Sequence, residues 1–378
     1  MKYFLLVLIS GFSVLAFSQQ TETIKTDSTI IYYGRQHFLI EGTVIADSLK
    51  ESPYDRLPIS YKDKVRKPVW DLSKSSAGIT VRFHSNSTSI SLKWTVLNDF
   101  DMPHMASTGI KGIDLYSKYS DKWRYVTTAG AWVGLKTYQN KSIPADSINE
   151  YELIKNMNPE FREYKLFLPL YDGVTKLEIG IDNNALINKA SPNPAKPIVF
   201  YGTSITQGGC ASRPGMAHTN IISRKLDVDC INYGFSGNGR METPIVELIS
   251  EIDAHFYVIE CLQNMDSKQV SERVRPLVDM IRTKHPLTPI VFVENMMYTT
   301  AFLDQTIETE LIQENAALKN EYDKILKSGL QNVFYIEDNQ NLLKDNEGTV
   351  DGIHLTDLGF LRYSDYLLEN FKNYKLIK

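Results

Sequence analysis

The stretch Ile198-Val199-Phe200-Tyr201-Gly202-Thr203-Ser204-Ile205-Thr206 decides how the second half of this chain is read. Four apolar residues of strand length run into a glycine and then into small polar residues. This is a strand ending in a tight turn, with Gly202 permitting the turn and Ser204 left at the strand's carboxyl end. The same rhythm continues downstream. Pro214 to Leu226 reads as helix, Val228 to Tyr233 as strand, Pro244 to Ile252 as helix and His255 to Ile259 as strand. Val270 to Lys284 is helix, Ile290 to Val293 strand, Ile307 to Leu326 a long amphipathic helix, Val333 to Ile336 a fifth strand and Leu358 to Phe371 a last helix. Apolar strands alternating with helices specify a parallel sheet covered on both faces, a three-layer α/β/α domain over 198–378.

Upstream the texture differs. Ala77-Gly-Ile-Thr-Val-Arg-Phe-His84 and Ser89-Ile-Ser-Leu-Lys-Trp94 alternate about the polar turn Ser85-Asn86-Ser87. Gly112 to Tyr116, Trp123 to Val126, Glu163 to Leu168 and Lys176 to Ile181 keep that style. Period-two alternation with regular turns predicts an antiparallel all-β sandwich or jelly roll over 19–187, with no strong helix interrupting it. Asn188 to Pro197 holds three prolines and reads as a linker. Trp70, Trp94, Trp123 and Trp132 all fall in the β-domain, where they are expected mainly in the sandwich core. Trp123, between Lys122 and Arg124, is the best exposed candidate for a stacking platform.

Lys2 followed by the apolar run Tyr3 to Phe17, with Ala16-Phe17-Ser18 before Gln19, has the pattern of a cleavable secretory leader cut after Ser18. The expectation is a secreted or periplasmic protein without a stable membrane anchor. A net charge of -4 and the absence of a long basic block imply no polyanion partner and make no case for nucleic acid. Cys210, Cys230 and Cys261 are an odd number, so at least one thiol stays unpaired. Only seven histidines, no H-E-x-x-H and cysteines far apart in sequence make a metal site the weaker reading.

In parallel α/β sheets ligands bind beyond the carboxyl ends of the strands, which gives four strand ends meaning. Strand one ends at Ser204, which fits either a nucleophile or a turn serine. Strand two ends in the glycine-rich loop Gly234 to Gly239, suited to backbone N–H groups approaching a developing oxyanion. Strand three ends in Glu260-Cys-Leu-Gln-Asn264, whose asparagine amide is a further donor or a turn former. Strand five is followed by Asp351-Gly-Ile-His354, a carboxylate placed to orient an imidazole. Thr206, Gln207, Arg240 and Glu294 lie near the same edge as candidate substrate contacts.

The order Ser…Gly…Asn…Asp-x-x-His resembles the SGNH (GDSL-type) hydrolase superfamily over Ile198 to about Phe371. Gly202-Thr203-Ser204-Ile205 matches its first block, Gly237 its second, Asn264 its third, and Asp351 with His354 its fifth. The resemblance implies a flavodoxin-like α/β/α fold and a Ser204–His354–Asp351 triad. It also implies an oxyanion hole from the Ser204 and Gly237 N–H groups and the Asn264 side chain. Acyl transfer by a serine would need no cofactor. Gly112-Ile113-Asp114-Leu115-Tyr116 resembles the G-x-D-L-Y segment of a β-domain that precedes some bacterial esterases of this kind, which implies O-acyl, often O-acetyl, esters of polysaccharides as substrates. Thr203 stands where the first block commonly has Asp, and Leu262-Gln263-Asn264-Met265 replaces Gly-x-Asn-Asp, so the pocket wall differs. An esterase acting on lipids and a non-catalytic glycan-binding protein remain the competing readings. A cysteine hydrolase is disfavoured, because Cys210 lies six residues past Ser204 in a loop.

Overall fold

The computed structural model describes residues 29–98, 101–130, 148–338, 343 and 345–378. The expected leader and Trp132 lie outside these residues.

Among the described residues the N-terminal part carries ten strands: β1 Ile30–Tyr33, β2 Leu39–Glu41, β3 Thr80–Ser85, β4 Ile90–Val96, β5 Ile113–Tyr119, β6 Lys122–Ala129, β7 Asn149–Ile154, β8 Arg162–Phe167, β9 Val174–Asp182 and β10 Ile187–Lys189. One antiparallel sheet has the order β1-β9-β4-β7, the other β10-β3-β8-β5-β6 with β2 on β3. Every second residue faces inward. Ile90, Leu92, Trp94 and Val96 of β4 meet Ile113 and Leu115 of β5 and Val81 and Phe83 of β3 in one core between the sheets. The β5–β6 hairpin turns through Ser120 and Asp121, both with positive φ, which suits the right-handed twist of its strands.

Two short helices do interrupt this part, α1 at Lys67–Ser73 and α2 at Ser107–Lys111. Pro68 sits in the first turn of α1, where a missing N–H costs nothing. The segment around α1 leaves the sandwich altogether. Leu57, Val69 and Trp70 pack into the core of the C-terminal domain, so Trp70 is buried but not in the sandwich core where it was expected. The expected linker also begins as strand, because β10 pairs with β3 through Ile187, Asn188 and Lys189.

The C-terminal part alternates β11 Ile198–Gly202, α3 Ser204–Gln207, α4 His218–Leu226, β12 Cys230–Gly234, α5 Thr243–Ser250, β13 Phe256–Glu260, α6 Ser267–Lys284, β14 Ile290–Val293, α7 Gln305–Lys327, β15 Val333–Ile336 and α8 Asp357–Asn373. The five strands are parallel, in the order β12-β11-β13-β14-β15. Val199, Tyr201, Tyr257, Ile259, Ile290 and Phe292 face α5, α6 and α7, whereas Ile198, Phe200, Phe256, Val258, Val291 and Val293 face α4 and α8. Both faces are buried, which is why these strands read as unbroken apolar runs. Asp266, Asp304 and Thr356 cap α6, α7 and α8 by accepting first-turn N–H groups. The strand order reverses at β11, so Ser204 stands at the crevice such sheets use for ligands. Among the described residues no helix is long and apolar enough to cross a membrane.

Buried polar bonds join the two parts. The Arg56 guanidinium is wholly buried over the Phe235 ring. It donates to the carbonyls of Ser75 and Leu72 on its own segment and to those of Asn232 and Gly234 at the end of β12. A leucine at this position would leave these acceptors dry. Urea unfolding of Arg56→Leu is expected to show a loss of ~3 kcal/mol or more, since a bond to a charged group is worth about 1.5–3 kcal/mol. A loss under ~1 kcal/mol would mean that water replaces the guanidinium.

Candidate active site

Ser204 opens α3 directly after β11, with Thr203 as the extended residue before it. The turn is possible because backbone crowds it. A Cβ on Gly202 would lie 2.0 Å from Thr206 Oγ1, and one on Gly239 would lie 1.9 Å from the Gly202 carbonyl. These glycines let the β12 loop close over the serine turn. His354 follows β15 on a loop fixed by the Val350 N–H bond to the His354 carbonyl. His354 Nε2 is 2.9 Å from Ser204 Oγ, and Nδ1 is 2.7 Å from Asp351 Oδ2. The other Asp351 oxygen accepts the N–H groups of Ile353 and His354 at 3.1 and 2.8 Å. Burial works against the charge on Asp351, but the His354 and Ile353 N–H groups and the His354 ring hold its carboxyl below its usual value. An ionised carboxylate only accepts, so Nδ1 carries the proton and Nε2 faces the serine hydroxyl as an acceptor.

Two loops meet beside this row, those after β12 and β13. Asn264 Oδ1 accepts the Gly239 N–H at 3.2 Å, which leaves the amide's NH2 as the donating half. Gly237 has φ +67°, and its carbonyl accepts from Arg240 at 3.0 Å. Gly237, Asn264 and Arg240 line a polar cleft of about 670 Å3, whose far wall is Glu310, Gln313 and Glu314 of α7. Burial pushes the Glu314 carboxyl up to about 7, against a bond from Asn295. Thr203, at the position commonly held by Asp, reaches 3.3 Å to Gln263 Oε1, so the altered first and third blocks touch each other.

The remaining candidates are placed differently from expectation. Thr206 is buried and donates to Glu260 at 2.9 Å. Gln207 is buried too; it donates to the Leu170 carbonyl at 3.0 Å and accepts the Ser236 N–H at 3.0 Å. Glu294 accepts from the Tyr335 hydroxyl and the Asp338 N–H. All three spend these polar atoms on other groups of the chain: Thr206 on a buried carboxylate, Gln207 on backbone, and Glu294 on a tyrosine hydroxyl and a backbone N–H. Of the four, Arg240 alone lines the cleft. Trp123 donates to Asp227 at 2.7 Å, between Lys118 and Lys165, and so braces the two domains rather than offering a bare sugar platform. The three cysteines are buried free thiols.

Two groups escaped the sequence reading. Glu314 lies in the middle of a helix, and only its spacing from Glu310 and Gln313 marks a polar face. His104 comes from the β-domain, and its ring stands 5.7 Å from that of His354. No local pattern joins residues 250 positions apart.

The β-domain motif explains itself in the structure. Asp114 is buried and accepts from Thr128 at 2.7 Å, from Arg213 at 2.6 Å and from the Gly215 N–H at 2.8 Å. Tyr116 accepts from the same guanidinium at 2.7 Å. Arg213 and Gly215 lie on the loop that leaves α3, so the motif grips the chain just past Ser204.

Residues 195–372 match the family described as GDSL-like lipase/acylhydrolase, and residues 30–187 match the N-terminus of SGNH-hydrolase-type esterases, GxDLY. No curated protein matches the chain. Among solved structures, one described as a GDSL-like lipase from Bacteroides ovatus ATCC 8483 is 33% identical, with TM-score 0.83 over 93% of this chain and 99% of that one. The salicylyl-acyltransferase SsfX3 of a tetracycline biosynthetic pathway shares the fold at 13% identity, with TM-score 0.72 over 93% and 98% of the two chains. A family two carbohydrate esterase from Clostridium thermocellum, in complex with cellohexaose, shares it at 14% identity, with TM-score 0.53 over 80% and 94%.

Glu260, at the end of β13, tests how the site is held. It is buried, and it accepts from Thr206, from Tyr363 at 2.5 Å and from His218 at 3.1 Å. Burial opposes its charge, yet His218, Tyr363 and Thr206 together keep its carboxyl below the ordinary value. A depressed folded value means that the carboxylate stabilises the fold above the unfolded value of about 4.3, and that this is lost as pH falls through the folded one. Glu260→Gln should be about 2–3 kcal/mol less stable than wild type at pH 7 in urea unfolding. The gap should narrow below pH ~4. A gap that does not change with pH would refute the ionised carboxylate.

Proposed function

The chain belongs to the GDSL-like lipase/acylhydrolase family, and from that premise we propose that it is an exported serine esterase that removes O-acyl groups, chiefly acetyl, from a polysaccharide. The observation that carries this reading is the hydrogen-bonded row Ser204 Oγ–His354 Nε2 and His354 Nδ1–Asp351 Oδ2, set against a polar cleft.

In the proposed mechanism His354 Nε2 takes the Ser204 proton as Oγ attacks the ester carbonyl. Asp351 keeps the ring oriented and stabilises the imidazolium that forms. The tetrahedral oxyanion receives the Ser204 and Gly237 N–H groups and the Asn264 amide. His354 then protonates the leaving sugar alkoxide. Water enters, gives its proton to His354 and attacks the acyl carbonyl, and the imidazolium returns that proton to Ser204 Oγ as the carboxylic acid leaves. The cleft beyond Asn264 takes the sugar. Arg240, Gln263 and Gln313 supply the hydrogen-bonding groups a carbohydrate needs, and the wall has little apolar area for an acyl tail. The leader-like run before Gln19 supports export to where such substrates lie.

A lipid substrate has one feature in its favour. Phe302 and Leu303 are 72% and 77% exposed, on a loop whose Thr299 donates its N–H to the Gly352 carbonyl beside Asp351.

Purified protein should hydrolyse p-nitrophenyl acetate faster than the butyrate and far faster than long-chain esters, and should release acetate from an acetylated polysaccharide. Ser204→Ala should lower kcat by at least ~10³-fold while staying folded. Asn264→Ala should lower kcat by ~10²–10³ with KM little changed. Full activity of Ser204→Ala would overturn the mechanism, and preference for long-chain esters would overturn the carbohydrate reading in favour of lipid.

A further inference from the structure

His104 lies on a turn of the β-domain, Cys210 on the loop leaving α3 and His354 after β15. One ligand atom from each, a thiol sulfur and two imidazole nitrogens, lies within 4.8 Å of the others. His104 is half-buried with its ring against that of His354, and among the described residues it makes no hydrogen bond. The buried Cys210 thiol likewise has no hydrogen-bond partner among the described residues. Cys210 therefore explains nothing in the acyl-transfer row, and neither does His104, yet both stand beside it.

Two imidazoles and a thiol are a donor set that borderline-soft divalent cations select. With Zn–N of about 2.0–2.1 Å and Zn–S of about 2.3 Å, tetrahedral donors sit roughly 3.3–3.6 Å apart. From the spacing present, closure takes about an ångström of movement, which a side chain on a turn supplies more readily than one on a strand. We propose that His104, Cys210 and His354 form a site for a zinc-type divalent cation, and that its occupation switches the enzyme off. On binding, the thiol gives its proton to solvent and the thiolate sulfur bonds the metal. Burial and the nearby Asp351 push the metal-free thiol up to about 12; a divalent charge opposes both effects. A ring nitrogen of His354 committed to the cation is lost to its other partner. If it is Nε2, Ser204 has no base; if it is Nδ1, Asp351 no longer orients the ring. The binding stands apart from the esterase reading, whereas the inhibition rests on it.

The test is a titration of the chelator-treated protein with CoCl2, read by absorption, beside ZnCl2 inhibition of p-nitrophenyl acetate hydrolysis. One Co2+ per chain should bind with a thiolate-to-cobalt band. Zn2+ should displace it and stop hydrolysis, and EDTA should restore activity. His104→Ala and Cys210→Ser should each weaken Co2+ binding by more than ~10-fold and relieve Zn2+ inhibition to match, while metal-free hydrolysis persists. His104→Ala covers the case in which the buried serine variant misfolds. No thiolate band in the wild type, or equal Zn2+ inhibition in wild type and His104→Ala, would overturn the site. If the protein hydrolyses no ester, the cobalt band and its loss in His104→Ala still decide the binding, so the two readings fail separately.

Discussion

One buried carboxylate sets the geometry on which the site depends. Glu260 ends the central strand β13 and accepts from α3 through Thr206, from α4 through His218 and from α8 through Tyr363. Burying a charge costs several kcal/mol unless hydrogen bonds replace its water. Three donors do so here, and each comes from a different helix. Thr206 is two residues from Ser204, and Tyr363 lies on the helix that begins three residues after His354. The same anion thus fixes both ends of a 2.9 Å hydrogen bond whose partners are 150 residues apart. His218 is held in turn by the rings of Phe200, Phe360 and Tyr363, so rigid packing stands behind the polar set.

The β-domain is a second source of constraint rather than an appendage. Arg56 satisfies the carbonyls at the end of β12. Asp114 and Tyr116 hold Arg213, and Leu170 accepts from Gln207. Each bond ends on a segment that borders Ser204 or the loop of Gly237. An α/β sheet leaves its strand-end loops long and polar, and such loops keep one conformation only when their backbone groups find partners. Here many of those partners come from the other domain. The match of both halves to the two parts of one esterase architecture fits that mutual dependence.

The site has a dry side and a wet side. Toward the strands it is closed by Tyr171, Leu170 and the Glu260 set, where a hydroxyl such as that of Thr206 is structural. Toward α6 and α7 it opens into the polar cleft past Asn264 and Arg240. The Ser204–His354–Asp351 row spans the two sides, with Ser204 buried, His354 half-buried and Asp351 exposed. His104 and Cys210 reach the same row from other segments, which gives His354 a second set of neighbours.

Periodicity in the sequence was enough for the layers. Alternation of period two marked the sandwich strands, and unbroken apolar runs between helices marked the parallel sheet, because side-chain period follows directly from how a strand is covered. The strand-end positions of Ser204, Gly237 and Asn264 were legible for the same reason, since each follows its strand within a few residues, whereas Asp351 and His354 were marked by their spacing just before the last helix. What stayed hidden depends on contacts between distant segments. Trp70 reads like any β-domain tryptophan, and only the path of the chain takes it under the α/β sheet. Thr206, Gln207 and Glu294 are polar and near the edge in sequence, but which polar atom meets solvent and which meets another group of the chain is decided by three-dimensional crowding. His104 carries no signature at all. Its place beside His354 exists only because the β-domain docks where it does, and sequence records composition and order but not docking.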